Sequence, residues 1–328
     1  MTLQARITEE RWPLHEPFEI AGQVLVDLPL LHLELVDGAG RIGRAEAAGV
    51  DYDGETPASM RAQLEAVVGR LTEAITPAEV QDWLPRGGAR NALDCALWDL
   101  QARRSGVPVW QSAGLAPPLP RVTACTIGLG SLDDTRRRAR ALAAVPLIKI
   151  KADALRHLAV VRVVREEAPR ARLVVDANQS WSRPLLEQLL PALQALGVDV
   201  IEQPVKRGED AQLDGLQSPI PLFADESCMD RRSLPALANR YQGVNIKLDK
   251  TGGLTEALAL AGEARARGFE LMVGNMCGSS LGMAPAFLVA QLARWVDLDG
   301  PLFQRGDRAH PMRYDHGTVH PPLPALWG

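Results

Sequence analysis

The sequence predicts an α/β protein in which a (β/α)8-type barrel follows an N-terminal α+β capping domain. Three observations carry this. Beyond residue 120, short apolar runs alternate with helical stretches and end near Ile127, Lys151, Asp176, Glu202, Asp225, Lys247, Gly274 and Asp297, a step of 22 to 27 residues. Eight strand ends at a near-constant step describe a ring of parallel β/α units, whose catalytic groups gather at the C-terminal ends of the strands. Before residue 50 the pattern is instead that of a β meander, and the Pro-rich stretch Ala116-Pro117-Pro118-Leu119-Pro120 separates the two regions. An open doubly wound sheet is the competing arrangement, but its Gly-rich phosphate loop after the first strand is missing.

In chain order, Leu3 to Arg11 reads as a strand and Leu30 to Val36 as a second. A turn follows at Asp37-Gly38, then a return strand to about Glu46. Helices are expected over 57–74 and 89–104, the second from the spacing of Leu93, Ala96, Leu97 and Leu100, with Gly106 and Pro108 as its stop. The expected division is a cap of residues 1–115, joined by part of the tail at about 303–328, and a barrel of 116–302.

At 328 residues, with 46% hydrophobic and 23% charged residues and a net charge of −4, the composition is that of a globular enzyme-sized chain and argues against nucleic acid or an acidic membrane surface as partner. The first residues lack a secretory pattern, and no apolar run approaches the roughly 18 residues a membrane helix needs, so a cytoplasmic location is expected. Cys95, Cys125, Cys228 and Cys277 form no C-x-x-C pair and are expected reduced and packed. His310, His316 and His320 fall in a Pro-rich tail and read as loop residues without a role.

The chemistry begins with the lysines. Of 36 Lys plus Arg only five are Lys: Lys149, Lys151, Lys206, Lys247 and Lys250. Arginine keeps its proton, whereas a buried lysine can lose one and act as a base. In Leu147-Ile148-Lys149-Ile150-Lys151 strand alternation aims both amines at one face. An isolated K-x-K is more often a solvated edge; in a chain that otherwise uses arginine, it calls for a reason.

Three consecutive strands end in Asp176, Glu202 and Asp225. Each alone reads as a helix cap or surface acid. In neighbouring barrel strands they converge, and their mutual repulsion calls for a cation, Mg²⁺ before Ca²⁺ because water and substrate can complete an octahedron. Lysines one unit before and one unit after the carboxylates suit proton removal α to a carboxylate, with a base on each face of the carbon and an epimer as product.

On these residues the chain resembles the enolase superfamily, and more narrowly its muconate-lactonizing subgroup, with Lys149-Ile-Lys151, Asp176, Glu202, Asp225 and Lys247 at the positions of that subgroup's bases and metal ligands. The resemblance implies a modified, enolase-like barrel with a cap over its mouth, one Mg²⁺ per subunit and a homo-oligomer. Ala89 to Leu100, Ala224-Asp-Glu-Ser227, Asn245 to Gly253 and Asp297-Leu-Asp299 are similar to the dipeptide epimerases, including the Ala-Glu epimerases. That likeness implies a dipeptide substrate whose ammonium binds Asp297 and Asp299. It implies Lys151 and Lys247 as acid/base catalysts, Lys149 as the charge that lowers the pKa of Lys151, and Asn178 and Glu226 as neighbours of the metal ligands. Lys250 receives no chemistry.

One departure stands out. Ala-Glu epimerases carry an arginine in the loop after the Pro-Phe motif, and Leu25 of Ala21-Gly-Gln-Val-Leu-Val26 stands there instead. The expectation is a substrate with an uncharged, apolar second residue. The same scaffold also serves o-succinylbenzoate synthases, N-acylamino acid racemases and cycloisomerases, none of which needs Asp297-x-Asp299. A non-catalytic binding barrel would have no reason to keep two lysines with three carboxylates.

Overall fold

The computed structural model describes residues 2–20 and 23–328. An antiparallel sheet comes first, with β1 (Gln4–Ile20), β2 (Gln23–Val36) and β3 (Ile42–Ala47) in that spatial order. Leu31, Leu33 and Leu35 alternate onto its buried face and share one core with Met60 and Leu64 of α1 (Pro57–Val68) and with Leu93, Ala96 and Leu100 of α2 (Gly88–Ser105). Thr56 and Ser59 form a capping box that starts α1. The helix ends at Val68, before the expected residue 74, at Gly69.

Strands β1 and β2 run far past their expected ends. Arg11 pairs with Pro29, Pro13 with Asp27 and, after a register shift, Phe18 with Leu25 and Ile20 with Gln23. β3 pairs with residues 31–36 of β2, so beyond them β1 and β2 run on as a ribbon; Leu14 of β1 bridges Gln304 and the Pro13 carbonyl accepts the Arg305 N–H at 2.9 Å, while no described residue asks an N–H of Pro13, Pro17 or Pro29. The segment expected as a loop over 20–26 is therefore mostly strand; Ala21 and Gly22 lie outside the described residues.

After α3 (Val109–Ser112) and β4 (Arg121–Val122) come the barrel strands β5 (Cys125–Ile127), β6 (Leu147–Lys151), β7 (Arg172–Asp176), β8 (Val200–Glu202), β9 (Leu222–Ala224), β10 (Gly243–Ile246), β11 (Glu270–Val273) and β12 (Trp295–Val296). Every one ends within one residue of the sequence expectation. All neighbours are parallel, in the order β5 to β12, and the Ala124 N–H donates to Val296 O at 2.7 Å, joining the two outermost strands. Outside them lie α4 (Leu132–Ala141), α5 (His157–Glu167), α6 (Arg183–Ala195), α7 (Leu234–Leu237), α8 (Leu248–Thr251), α9 (Leu254–Ala266) and α10 (Ser280–Ala290). Only single turns follow β8 and β12, and two short turns follow β9, so the helical layer is thinner there. The tail adds β13 (Tyr314–Asp315) and β14 (Thr318–Val319), the latter paired with β4.

Inside the ring, Ala124, Leu147, Val174, Val200, Phe223, Met272 and Trp295 make an apolar floor. Gly243 leaves room for the Phe223 ring, since a Cβ there would lie 2.3 Å from it. Two residues further along each strand the side chain again points inward. Those positions are Thr126, Lys149, Asp176, Glu202, Asp225, Asn245, Gly274 and Asp297. The same alternation that builds the floor thus lays a charged layer on top of it.

Candidate active site

The Lys149 ammonium touches carboxylates from three other strands: Asp176 Oδ2 at 3.1 Å, Glu202 Oε2 at 2.8 Å and Asp297 Oδ2 at 2.9 Å. Lys151, nearer the mouth, meets Asp176 Oδ2 at 2.7 Å. Across the ring, Lys247 follows β10 and its Nζ lies 2.7 Å from Asp225 Oδ2. Three strands separate β6 from β10 in either direction, so Lys151 and Lys247 approach from opposite sides. They are 7% and 6% exposed, against 1% for Lys149, so these two amines reach the mouth.

Asp176, Glu202 and Asp225 are buried, and one oxygen of each lies within 4.8 Å of the others. Burial opposes the charge on Asp176, but the Lys151 and Lys149 ammoniums outweigh it and hold the carboxyl at about 2. Asp225 is held well below the usual range in the same way by Lys247 and Lys250. Glu202 is pushed up to about 8 by burial and by Asp176. Its Oε2 lies beside Lys149 but off the hydrogen-bond direction, and accepts no hydrogen bond. Three hard oxygen donors, one of them buried without a hydrogen bond, fit a divalent cation of the Mg²⁺ type. Against burial, the surrounding carboxylates push Lys149 and Lys247 up, so each amine holds its proton firmly while those charges stand unbalanced.

The remaining expected residues fall around this cluster. The Asn178 N–H donates to Asp176 Oδ1 at 2.9 Å, and its side-chain amide to Glu226 Oε1 at 3.4 Å. Glu226 is buried beside Asp225 and pushed up to about 7 by burial and that neighbour. Asp297 and Asp299 sit just past β12, where the Thr126 N–H donates to Asp299 Oδ2 at 2.7 Å. Leu25 lies on the ribbon, half-buried, against an apolar cluster of Leu14, Leu28 and Leu30 that also takes in Trp12, Cys277 and Phe303. That cluster brings the ribbon against the loops after β11 and β12.

Residues 134–324 match the enolase C-terminal domain-like family, and residues 2–114 the N-terminal domain of the mandelate racemase / muconate lactonizing enzymes. The chain belongs to the enolase superfamily. Its relatives in that superfamily are named epimerases and racemases, and the chain is an isomerase like them. An L-Ala-D/L-Glu epimerase of Escherichia coli (strain K12) is 42% identical over 319 residues, 96% of this chain and 98% of the relative. An N-acetyl-D-glutamate racemase of Pseudoalteromonas sp. is 46% identical over 258 residues, 79% and 82% of the two chains. The crystal structure of an enolase family member from Agrobacterium tumefaciens with homology to dipeptide epimerases, with bound sodium and L-Ala-L-Glu, superposes with a TM-score of 0.95 at 40% identity, covering 99% of this chain and 100% of that one.

Within this enolase-superfamily site, several side chains escape a reading of sequence. Lys250 is fully buried and binds Asp225 Oδ1 at 2.6 Å and Asn245 O at 2.9 Å. Asn245 donates to Glu202 Oε1 at 2.8 Å. The Gln203 amide oxygen accepts the N–H groups of Asp225 and Ser227, which sets the turn after β9. Asn245 stands two residues before Lys247 on an inward face, a signal that alternation offers. Lys250 lies past the strand, on α8, beyond the reach of that rule.

Behind Lys250 the cap helix α2 docks on the barrel. Arg90 donates to the carbonyls of Thr251 and Gly252. Asp94 accepts the Thr255 N–H and the Gln81 amide, and Asp249 accepts the Gly49 N–H and the Asn91 amide. Gly252 and Gly253 have φ of +77° and +117°, and a Cβ on them would lie 2.4 Å from Arg90 Nε and 2.5 Å from Asp94. Only glycine accommodates both the backbone and the approach. Among the described residues, no helix is long and apolar enough to cross a membrane.

Proposed function

We propose that this enzyme epimerises a dipeptide at the α-carbon of its C-terminal residue, by proton transfer between Lys151 and Lys247. The observation that carries the reading is the opposition of these two amines across the carboxylate cluster, with Asp297 and Asp299 placed on the far wall. Asp176, Glu202 and Asp225 would hold one Mg²⁺, which when bound balances their charge and stabilises the enolate form of the substrate's carboxylate. The dipeptide's ammonium lies against the end of β12, its carboxylate toward β7–β9, and its α-carbon between the lysines. One lysine, as the neutral amine, takes the α-proton; the other, as ammonium, returns a proton to the opposite face. The protonation states of the pair are exchanged, and proton exchange with water resets them. The cap of residues 1–115, with the tail 303–328 tied to it through Trp327 Nε1 to Cys95 O and Arg308 to Glu46, closes the barrel of 116–302.

Leu25 argues for an uncharged second residue, because a carboxylate buried there without a partner costs a few kcal/mol, on the order of 2 to 4. The kinship with an N-acetyl-D-glutamate racemase favours a second reading, N-acylamino acid racemisation on the same lysines. A dipeptide library incubated in D₂O and read by mass spectrometry tests both. Deuterium at the C-terminal α-carbon of apolar dipeptides is the expected result. Best turnover of Ala-Glu would remove the argument from Leu25, and turnover of N-acyl amino acids alone would select the second reading.

A further inference from the structure

We propose that Gln304 selects the substrate's second residue: its carboxamide enters the apolar cluster around Leu25 and fits an uncharged side chain that both donates and accepts a hydrogen bond, a carboxamide above all. The inference rests on the dipeptide reading and deepens it, from an uncharged second residue to the chemistry that residue carries.

Gln304 follows the turn Gly300–Phe303 beyond β12 and is 3% exposed. Neither its amide nitrogen nor its amide oxygen has a hydrogen-bond partner among the described residues. Gln81 and Asn245 lack a partner for the oxygen only; their nitrogens donate to Asp94 and Glu202. Buried amides are normally paired, because an orphaned group bears the full cost of losing water. A carboxamide bare at both ends points to a ligand that brings a donor and an acceptor together.

The backbone fixes where this amide goes. Gln304 and Leu14 form an antiparallel bridge, next to the Arg305 N–H that donates to Pro13 O at 2.9 Å. Residues directly opposite in such a pair carry their side chains on the same face. Leu14 turns into the cluster with Leu28 and Leu30, which Leu25, Cys277 and Phe303 also join. The Gln304 side chain therefore enters that cluster beside Leu14. Cys277 connects the cluster to the reaction chamber: its thiol, pushed up to about 12 by burial, lies within reach of the charges on Asp299, Lys151, Asp297 and Lys247. A side chain leaving an α-carbon held between the two lysines passes Cys277 on its way to Leu25 and Gln304.

The end group of that side chain then decides. A carboxylate satisfies the Gln304 nitrogen and repels its oxygen, and an ammonium does the reverse. An alkyl or thioether group leaves both without a strong partner. A second carboxamide pairs with both at once.

The test compares Ala-Gln with Ala-Met, which are similar in length, on wild type and on Gln304→Met, by kcat/KM for deuterium wash-in. Wild type is expected to favour Ala-Gln about tenfold, and Gln304→Met to favour Ala-Met by about the same factor. Met is close to Gln in shape, and replacing a bare buried amide with it should leave the fold intact. Where Gln304→Met fails to fold, Gln304→Leu gives the same readout. A raised melting temperature with an unchanged preference would overturn the proposal, because the amide would then serve packing alone. A wild type that does not discriminate between the two dipeptides would overturn it as well. If wild type epimerises no dipeptide, the dipeptide reading falls, and N-acetylglutamine against N-acetylmethionine, which carry the same side chains, still decides the role of Gln304. Turnover of neither series would overturn both.

Discussion

Two lysine pairs face each other across this barrel, and they are built differently. On β6 the pair is Lys149-x-Lys151, both on the strand and held by carboxylates alone: Lys149 by three and Lys151 by one. On the other side Lys247 follows β10, and its companion Lys250 sits one helical turn later on α8, bound to Asp225 and to the Asn245 carbonyl, with the cap helix packed behind. Each pair has an outer amine near the mouth and an inner one sealed beneath. The comparison teaches that the outer amines are equivalent in reach while their supports are not. One rests on an electrostatic web inside the ring, the other on a seam between ring and cap.

The largest expected effect breaks the equivalence of the outer pair. Lys151→Arg and Lys247→Arg should each lower epimerisation by about 10³-fold or more, the scale of a lost general base, with circular dichroism unchanged. Deuterium wash-in should then persist from one epimer only, and from opposite epimers in the two variants. Wash-in from both epimers in either variant would show that a single base serves both faces.

Next in size is Lys250→Met. Cutting one partner from a buried charge pair should cost about 3 kcal/mol of stability, read by urea denaturation. A change below about 0.5 kcal/mol, as for an exposed pair, would mean that the seam does not carry Asp225.

The seam also has a pH signature. Burial pushes Asp94 up to about 7 from an ordinary 3.8. The folded state therefore binds its proton more tightly than the unfolded chain, and the resulting stability is complete below about pH 4 and lost as pH rises through 7. Asp94→Asn should remove that falling component, gaining stability relative to wild type as pH rises from 4 to 8. Parallel stability profiles of the two proteins would exclude the effect.

The smallest effect belongs to Lys149→Arg, expected to slow epimerisation about tenfold because charge is kept while fit is lost. Damage equal to that of Lys151→Arg would erase the distinction between inner and outer amines.

Much of this was readable from the chain. The strand ends emerged because short apolar runs recur at a near-constant step, and in the structure Asp176, Glu202 and Asp225 each lie two positions past a floor residue, Val174, Val200 and Phe223. The ribbon did not, because a strand rich in prolines, which lack an N–H, gives no local sign of pairing, and only the tertiary register shows that no described residue needs a donor from Pro13, Pro17 or Pro29. Lys250 and Arg90 were opaque for a similar reason. Their partners are carbonyls and a distant carboxylate, which no local spacing encodes.

The ribbon that carries Leu25 bears on how such an enzyme can diversify. Leu25 packs on the Leu14, Leu28 and Leu30 cluster that Cys277 and Phe303 also join, and among the described hydrogen bonds none joins it to a lysine or to Asp176, Glu202 or Asp225. If the proposed reading holds, exchange of a residue on that ribbon would change which molecule is admitted without altering the lysines and carboxylates inside the ring. The α2 seam is the reverse: Arg90, Asp94, Gly252 and Gly253 interlock so closely that they must be inherited together. Selection can therefore retune the ribbon one substitution at a time, while the seam travels between descendants as a block.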